Sequence, residues 1–65
     1  MKIFVNATSQ NVSQPILAKA LQELGFISPA IATSLNGVFV AVAERETAEL
    51  RENDRLEVLS PMQGG

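Results

Sequence analysis

The sequence predicts an α+β domain, a mixed sheet of four to five strands packed on one main helix in the order β-β-α-β-β-β. Three observations carry that expectation. Residues alternate with a period of two near both ends of the chain, the pattern of half-buried strands. A helical stripe interrupts the strand-like pattern between residues 16 and 24. Asn36-Gly37 separates two β-rich runs. That dipeptide is the strongest short-range hairpin signal, because a type I′ turn needs positive φ at both positions.

The first strand is read at Lys2 to Asn6, with Ile3 and Val5 on one face and Lys2 and Phe4 on the other. Asn6-Ala7-Thr8 is a turn and Ser9 to Val12 a short second strand. Over residues 15–24 the period changes. Ile16, Leu17, Ala20, Leu21 and Leu24 fall on one helical face, with Lys19, Gln22 and Glu23 on the other. Ser13 is the expected N-cap and Pro15 suits the first turn. Gly25 is the stop signal and Pro29 blocks continuation. Ile31 to Leu35 returns to strand, with Ile31, Thr33 and Leu35 on one face, and Val38 to Val42 follows the Asn36-Gly37 turn. Glu44 to Leu50 is expected to hold a short helix or turn, and Glu52-Asn53-Asp54 a turn. Arg55 to Leu59 forms the last strand, with Leu56 and Val58 inward. The expected core is Ile3, Val5, Leu17, Leu21, Leu24, Ile31, Leu35, Val40, Leu50, Leu56 and Val58.

With 65 residues the chain is one domain, residues 1–60, followed by a short tail, residues 61–65, read as flexible. Apolar residues make up 46% and charged residues 18%, which suits a folded soluble domain rather than a disordered one. The net charge is −2, and the five basic residues, Lys2, Lys19, Arg45, Arg51 and Arg55, are scattered. A nucleic-acid binder would show a basic stripe, so neither nucleic acid nor an anionic membrane is an expected partner. No apolar run at the N-terminus is long enough for a signal peptide or a membrane span. The absence of cysteine excludes disulfides and fits a reducing, cytoplasmic location. A free monomer is expected.

An internal active site is hard to build from this composition. Without His or Cys there is no Ser-His or Cys-His pair and none of the usual zinc ligands. Glu44, Glu46 and Glu49 read as a solvated charged segment rather than a metal site. Gly64-Gly65 forms no phosphate loop.

Several stretches resemble the ThiS family of ubiquitin-like, β-grasp sulfur carriers. They are Met1-Lys2-Ile3-Phe4-Val5-Asn6, Leu17-Ala18, Leu21-Gln22-Glu23-Leu24-Gly25, Ile31 to Val40, and Asn53 to Leu59 followed by Gln63-Gly64-Gly65. Together they cover essentially the whole chain. Asn6-Ala7 departs from the Asn-Gly of many members and affects a turn. Pro61-Met62-Gln63 is also similar to the molybdopterin synthase small subunit.

The resemblance implies that the chain is not an enzyme and binds no cofactor or metal of its own. It implies instead that the Gly65 carboxylate is adenylated by a ThiF-type adenylyltransferase using ATP. It further implies that a cysteine-desulfurase-derived persulfide converts the adenylate to a thiocarboxylate, and that thiazole synthase takes the sulfur for thiamine. Gly64 and Gln63 would give tail access, since glycine offers no side chain to clash in a narrow passage. In such a sheet the first and last strands are neighbours. Phe4 and Leu59, each out of phase with the inward residues of its strand, are expected to form an apolar docking patch near the tail, joined by Met62. Two alternatives stay open on the sequence: sulfur delivery to molybdopterin, and a ubiquitin-like protein modifier joined to its targets through Gly65.

Overall fold

A computed structural model describes residues 1–28 and 30–60. Ile3 and Val5 alternate with Lys2 and Phe4 in β1, Lys2–Val5, and the pattern continues antiparallel into β2, Thr8–Asn11. The two-residue connection is a type I′ turn, with φ of 49° at Asn6 and 70° at Ala7. Asparagine enters the left-handed region readily, whereas alanine does so at a cost. The turn therefore forms despite its second residue.

The helix is shorter than the sequence pattern suggests. α1 spans Leu17–Leu24, and its N-cap is Ile16 in an extended conformation. Ser13 is not the cap, and Pro15 lies outside the first turn. Ile16 stays extended because residues 15–17 pair with residues 48–50. The Leu17 N–H donates to the Ala48 carbonyl at 2.9 Å, the Leu50 N–H donates to the Pro15 carbonyl at 2.7 Å, and Ile16 forms an antiparallel bridge with Glu49. Ser13 binds Glu23 instead: its N–H lies 2.9 Å from Oε1 and its hydroxyl 3.1 Å from Oε2. The Ser13 N–H is the main reason that the Glu23 carboxyl is held below its ordinary range. The helix stops at Gly25, at φ 93°. The Gly25 N–H donates to the Gln22 carbonyl and the Phe26 N–H to the Leu21 carbonyl, the paired bonds of a Schellman motif.

β3, Ala32–Leu35, and β4, Val38–Val40, make the second hairpin through Asn36 at φ 51° and Gly37 at φ 84°. β4 ends two residues before the expected boundary. Val42 enters a short 3-10 helix, Val42–Glu46, and is largely exposed. The Glu44 side chain accepts the Ala41 N–H at 3.0 Å, which fixes the point where the strand gives way. β5, Arg55–Leu59, closes the sheet in the order β2-β1-β5-β3-β4, parallel to β1 and antiparallel to β3. A mixed sheet covered on one face by one helix, with its last strand inserted between the two hairpins, is the ubiquitin-like β-grasp arrangement.

The core lies between α1 and one face of the sheet. Leu17, Ala20 and Leu21 come from the helix, Ile3, Val5, Val40, Leu56 and Val58 from strands, and Val12, Ile31 and Leu50 from the connections. Leu24 and Leu35 are only partly buried, because each sits at the rim where its element ends. Val12 and Ala20 take full core positions that the sequence reading did not assign. Val12 is drawn in by reciprocal backbone bonds with Met1, at 2.9 and 3.0 Å.

One charged side chain is buried with them. Arg45 is 6% exposed. Its Nη2 donates to the Ile31 carbonyl at 2.6 Å and its Nε to Thr33 Oγ1 at 3.1 Å; the Thr33 hydroxyl donates in turn to the Val40 carbonyl at 2.9 Å. A guanidinium satisfied by a hydroxyl and a carbonyl ties the 3-10 helix to β3. Removing it leaves the Ile31 carbonyl and Thr33 hydroxyl short of a partner.

Two changes test these readings by equilibrium unfolding. Ala7→Gly relieves the left-handed alanine and should stabilise the domain by about 0.5–1 kcal/mol, after the extra chain entropy that glycine loses on folding. Arg45→Ala should lower the urea midpoint through a loss of about 2–3 kcal/mol, with Arg45→Lys intermediate because lysine lacks the planar fork. An unchanged midpoint in Arg45→Ala would mean that the bonds to Ile31 and Thr33 contribute nothing net.

Candidate docking face and C-terminal strand

The sheet has one face without a helix, and register decides which side chains stand on it. Val5 pairs with Leu56 and Phe4 with Arg55. The antiparallel partners are Ala32 with Leu59 and Ser34 with Glu57, and Ser34 also with Phe39. Since Val5, Leu56, Val58, Thr33 and Val40 are buried, alternation puts Phe4, Arg55, Glu57, Leu59, Ala32, Ser34 and Phe39 on the open face.

Phe4 and Leu59 therefore do share a face, and β1 and β5 are neighbours. The two residues do not meet. Phe4 stands opposite Arg55, four residues before Leu59, so they are ~13 Å apart along the strand at about 3.3 Å per residue. They line adjoining depressions that share Ala7 and Glu57: Phe4 lines one with Gly37, Asn53 and Arg55, and Leu59 the other with Asn6, Ala32 and Ser34. Phe4 is also half-buried, with the Lys2 ammonium 5.2 Å from its ring centroid.

Phe39 is the other large apolar side chain that stands well out of the open face, two strands across from Leu59 and about 12 Å from it. Leu59 is 70% exposed and Phe39 is 65% exposed. They flank β3 across the small residues Ala32 and Ser34, which leave both large side chains projecting. Sequence reasoning did not single out Phe39. The signal was nevertheless present: a two-residue turn at Asn36-Gly37 fixes Leu35 opposite Val38, which puts Phe39 opposite Ser34 and out of phase with Val40.

Leu59 is the last residue of β5 and stands where the chain leaves the sheet, while Phe39 is level with Glu57, two residues back along β5. Met62, Gln63, Gly64 and Gly65, the tail positions named from the sequence, lie outside the described residues. Among the described residues no group of three or more His, Cys, Asp or Glu could hold a metal ion, and no helix is long and apolar enough to cross a membrane.

A model of the ThiS family matches residues 3–65, the sheet, the helix and the tail together. The chain belongs to the ThiS family. Among solved structures it is similar to a thiamine biosynthesis protein (ThiS) from Geobacter metallireducens, with a TM-score of 0.81 and 22% identity over 100% of both chains. At that identity the likeness speaks for the fold. No curated protein matches the chain. Family and fold agree with the sheet order above, and the family match extends through the Gly-Gly end that the sequence singled out.

Proposed function

We propose that this ThiS-family chain is a sulfur carrier whose reactive group is the Gly65 carboxylate. The observation that carries the reading is the family match reaching residue 65, on a chain that offers no His or Cys for chemistry of its own. The solved relative described as a thiamine biosynthesis protein supports thiazole formation as the destination of the sulfur.

The chemistry follows from what a carboxylate lacks. Its oxygens are poor leaving groups, so it must be activated. Attack of a Gly65 oxygen on the α-phosphorus of ATP releases pyrophosphate and leaves an acyl-adenylate. A persulfide then attacks the carbonyl carbon and AMP departs. Cleavage of the resulting sulfur–sulfur bond by a thiol leaves the thiocarboxylate. The catalyst for these steps is a ThiF-type adenylyltransferase, the persulfide derives from a cysteine desulfurase, and the recipient is thiazole synthase. ATP is the partner's substrate. The carrier contributes a terminus thin enough to enter an active site, Gly64-Gly65 preceded by Gln63. It also contributes a face by which the partner holds it. Leu59 and Phe39 form the centre of that face, with Met62 in the adjoining tail and Phe4 at its far margin. Exposed apolar side chains sharing one open face near a reactive end suit a docking surface.

Two measurements test this reading. Adding one residue after Gly65 should abolish ATP–pyrophosphate exchange by the adenylyltransferase while the circular-dichroism melt stays unchanged; undiminished exchange would sink the terminal-carboxylate chemistry. Changing Phe39 and Leu59 together to Ser should weaken binding to the same enzyme by about 1–3 kcal/mol. Activation should return at high carrier concentration, because the carboxylate is untouched. Wild-type affinity in that double variant would remove the docking role.

A further inference from the structure

Two asparagines hold β5, one at each end and one on each edge. Asn36, in the β3–β4 turn, acts at the start of the strand. Its N–H donates to the Arg55 carbonyl at 2.7 Å, and its Oδ1 accepts the Arg55 N–H at 2.9 Å. Asn6, in the β1–β2 turn, acts near the end. Its backbone N–H donates to the Leu56 carbonyl at 2.9 Å. Its side chain then takes both backbone groups of the next residue whose N–H and carbonyl face that edge: Nδ2 donates to the Val58 carbonyl at 3.1 Å, and Oδ1 accepts the Val58 N–H at 2.9 Å.

The need for this second device is geometric. β1 leaves the sheet at Asn6-Ala7, so no backbone remains beside Val58 on that edge. A primary amide carries the same carbonyl and N–H as a peptide unit. The Asn6 side chain therefore continues the β1–β5 ladder by one more position. Val58 is followed by Leu59 and then by the segment leading to the C-terminus, so the clamp fixes the point from which that segment departs.

We propose that Asn6 is a positioning residue for the activation of the C-terminus: it sets the direction in which the tail leaves β5 and so the fraction of docked carriers whose carboxylate reaches the nucleotide. The inference rests on the sulfur-carrier reading. Docking uses the Leu59 and Phe39 side chains; Asn6 lines the same depression as Leu59, but its side-chain hydrogen bonds go to the Val58 backbone rather than to the docking side chains. Loss of the clamp therefore lowers turnover rather than affinity. Misplacement of a reacting group by about 1 Å costs up to 100-fold in rate, and a loosened strand end falls within that range.

Asn36 supplies an internal control. Both asparagines are at the first position of a type I′ turn, with φ of 49° and 51°. Both bind one residue of β5 through its N–H and its carbonyl. Only Asn6 acts at the end nearest the tail. Asn6→Gly and Asn36→Gly remove the side chains without creating left-handed strain. The measurement is pyrophosphate exchange by the adenylyltransferase as a function of carrier concentration, beside thermal melts and hydrogen exchange of the Val58 amide.

In Asn6→Gly, kcat is expected to fall about tenfold with KM unchanged, and the Val58 amide to exchange faster. Asn36→Gly is expected to melt at a similarly lowered temperature and to keep its kcat. Wild-type kcat in Asn6→Gly overturns the proposal, as does an equal loss of kcat in both variants, which would make the effect one of stability alone. Should Asn6→Gly fail to fold, Asn6→Asp keeps the acceptor for the Val58 N–H and loses the donor to its carbonyl; an intermediate kcat is then expected and a wild-type value overturns the proposal. A folded wild-type chain that supports no exchange at all overturns the carrier reading itself, and the positioning role with it.

Discussion

β5 is last in the chain and central in the sheet, and the rest of the molecule is arranged around that fact. It lies between β1 and β3, so both of its edges are paired. Its inward residues, Leu56 and Val58, are buried beneath α1 with Ile3 and Val5. The partners it needs lie some 50 residues earlier on one side: the Phe4 N–H donates to the Asp54 carbonyl at 2.8 Å and the Asn6 N–H to the Leu56 carbonyl. Such pairings repay the entropy of closing a long loop only once the final strand is in place. The two hairpins can form locally, but neither can bury its inner face until β5 joins them.

That topology also serves the proposed role. A C-terminus carried on an edge strand would fray with it. Here the segment leading to Gly65 follows a strand supported from both sides, down to Val58 on one edge by Asn6 and opposite Ala32 on the other. The open face next to that exit displays Leu59 and Phe39, while the opposite face is used up by the helix. Binding and chemistry are thus separated along a few residues. In the proposed role, the partner holds the sheet surface and a side-chain-free end is delivered to the partner's nucleotide. The carrier needs no titrating group of its own for this.

A domain of this size has little core from which to draw stability, and it has neither disulfide nor histidine-bound metal to supplement it. Much of its organisation comes from polar side chains that finish backbone ladders. Asn6 and Asn36 complete β5, Glu23 takes the N–H groups ahead of α1, Asp54 accepts the Arg51 N–H at 2.8 Å, and Arg45 joins the 3-10 helix to β3. Each compensates for a place where a short element ends before its backbone groups are paired.

The sequence by itself determined the order of elements, the inward phase of β1 and β5, the helix stop at Gly25 and the hairpin at Asn36-Gly37. These rest on local causes: the period of apolar residues and the sterics of positive φ. It also singled out the terminal Gly64-Gly65 through its resemblance to a family. Tertiary structure decided the remainder. The helix begins at Leu17 rather than Pro15 because residues 15–17 pair with residues 48–50, which no helical periodicity records. Ser13 binds Glu23 instead of capping, and Arg45, one of five scattered basic residues in the sequence, is drawn inside by acceptors on β3. Tertiary structure also chose where Phe4 stands: on the open face with Leu59 and Phe39, but half-buried and about 13 Å along β5 from Leu59. That choice depends on how far β1 is offset along β5, and a parallel register across a long crossover is set by packing, not by either strand's own residues.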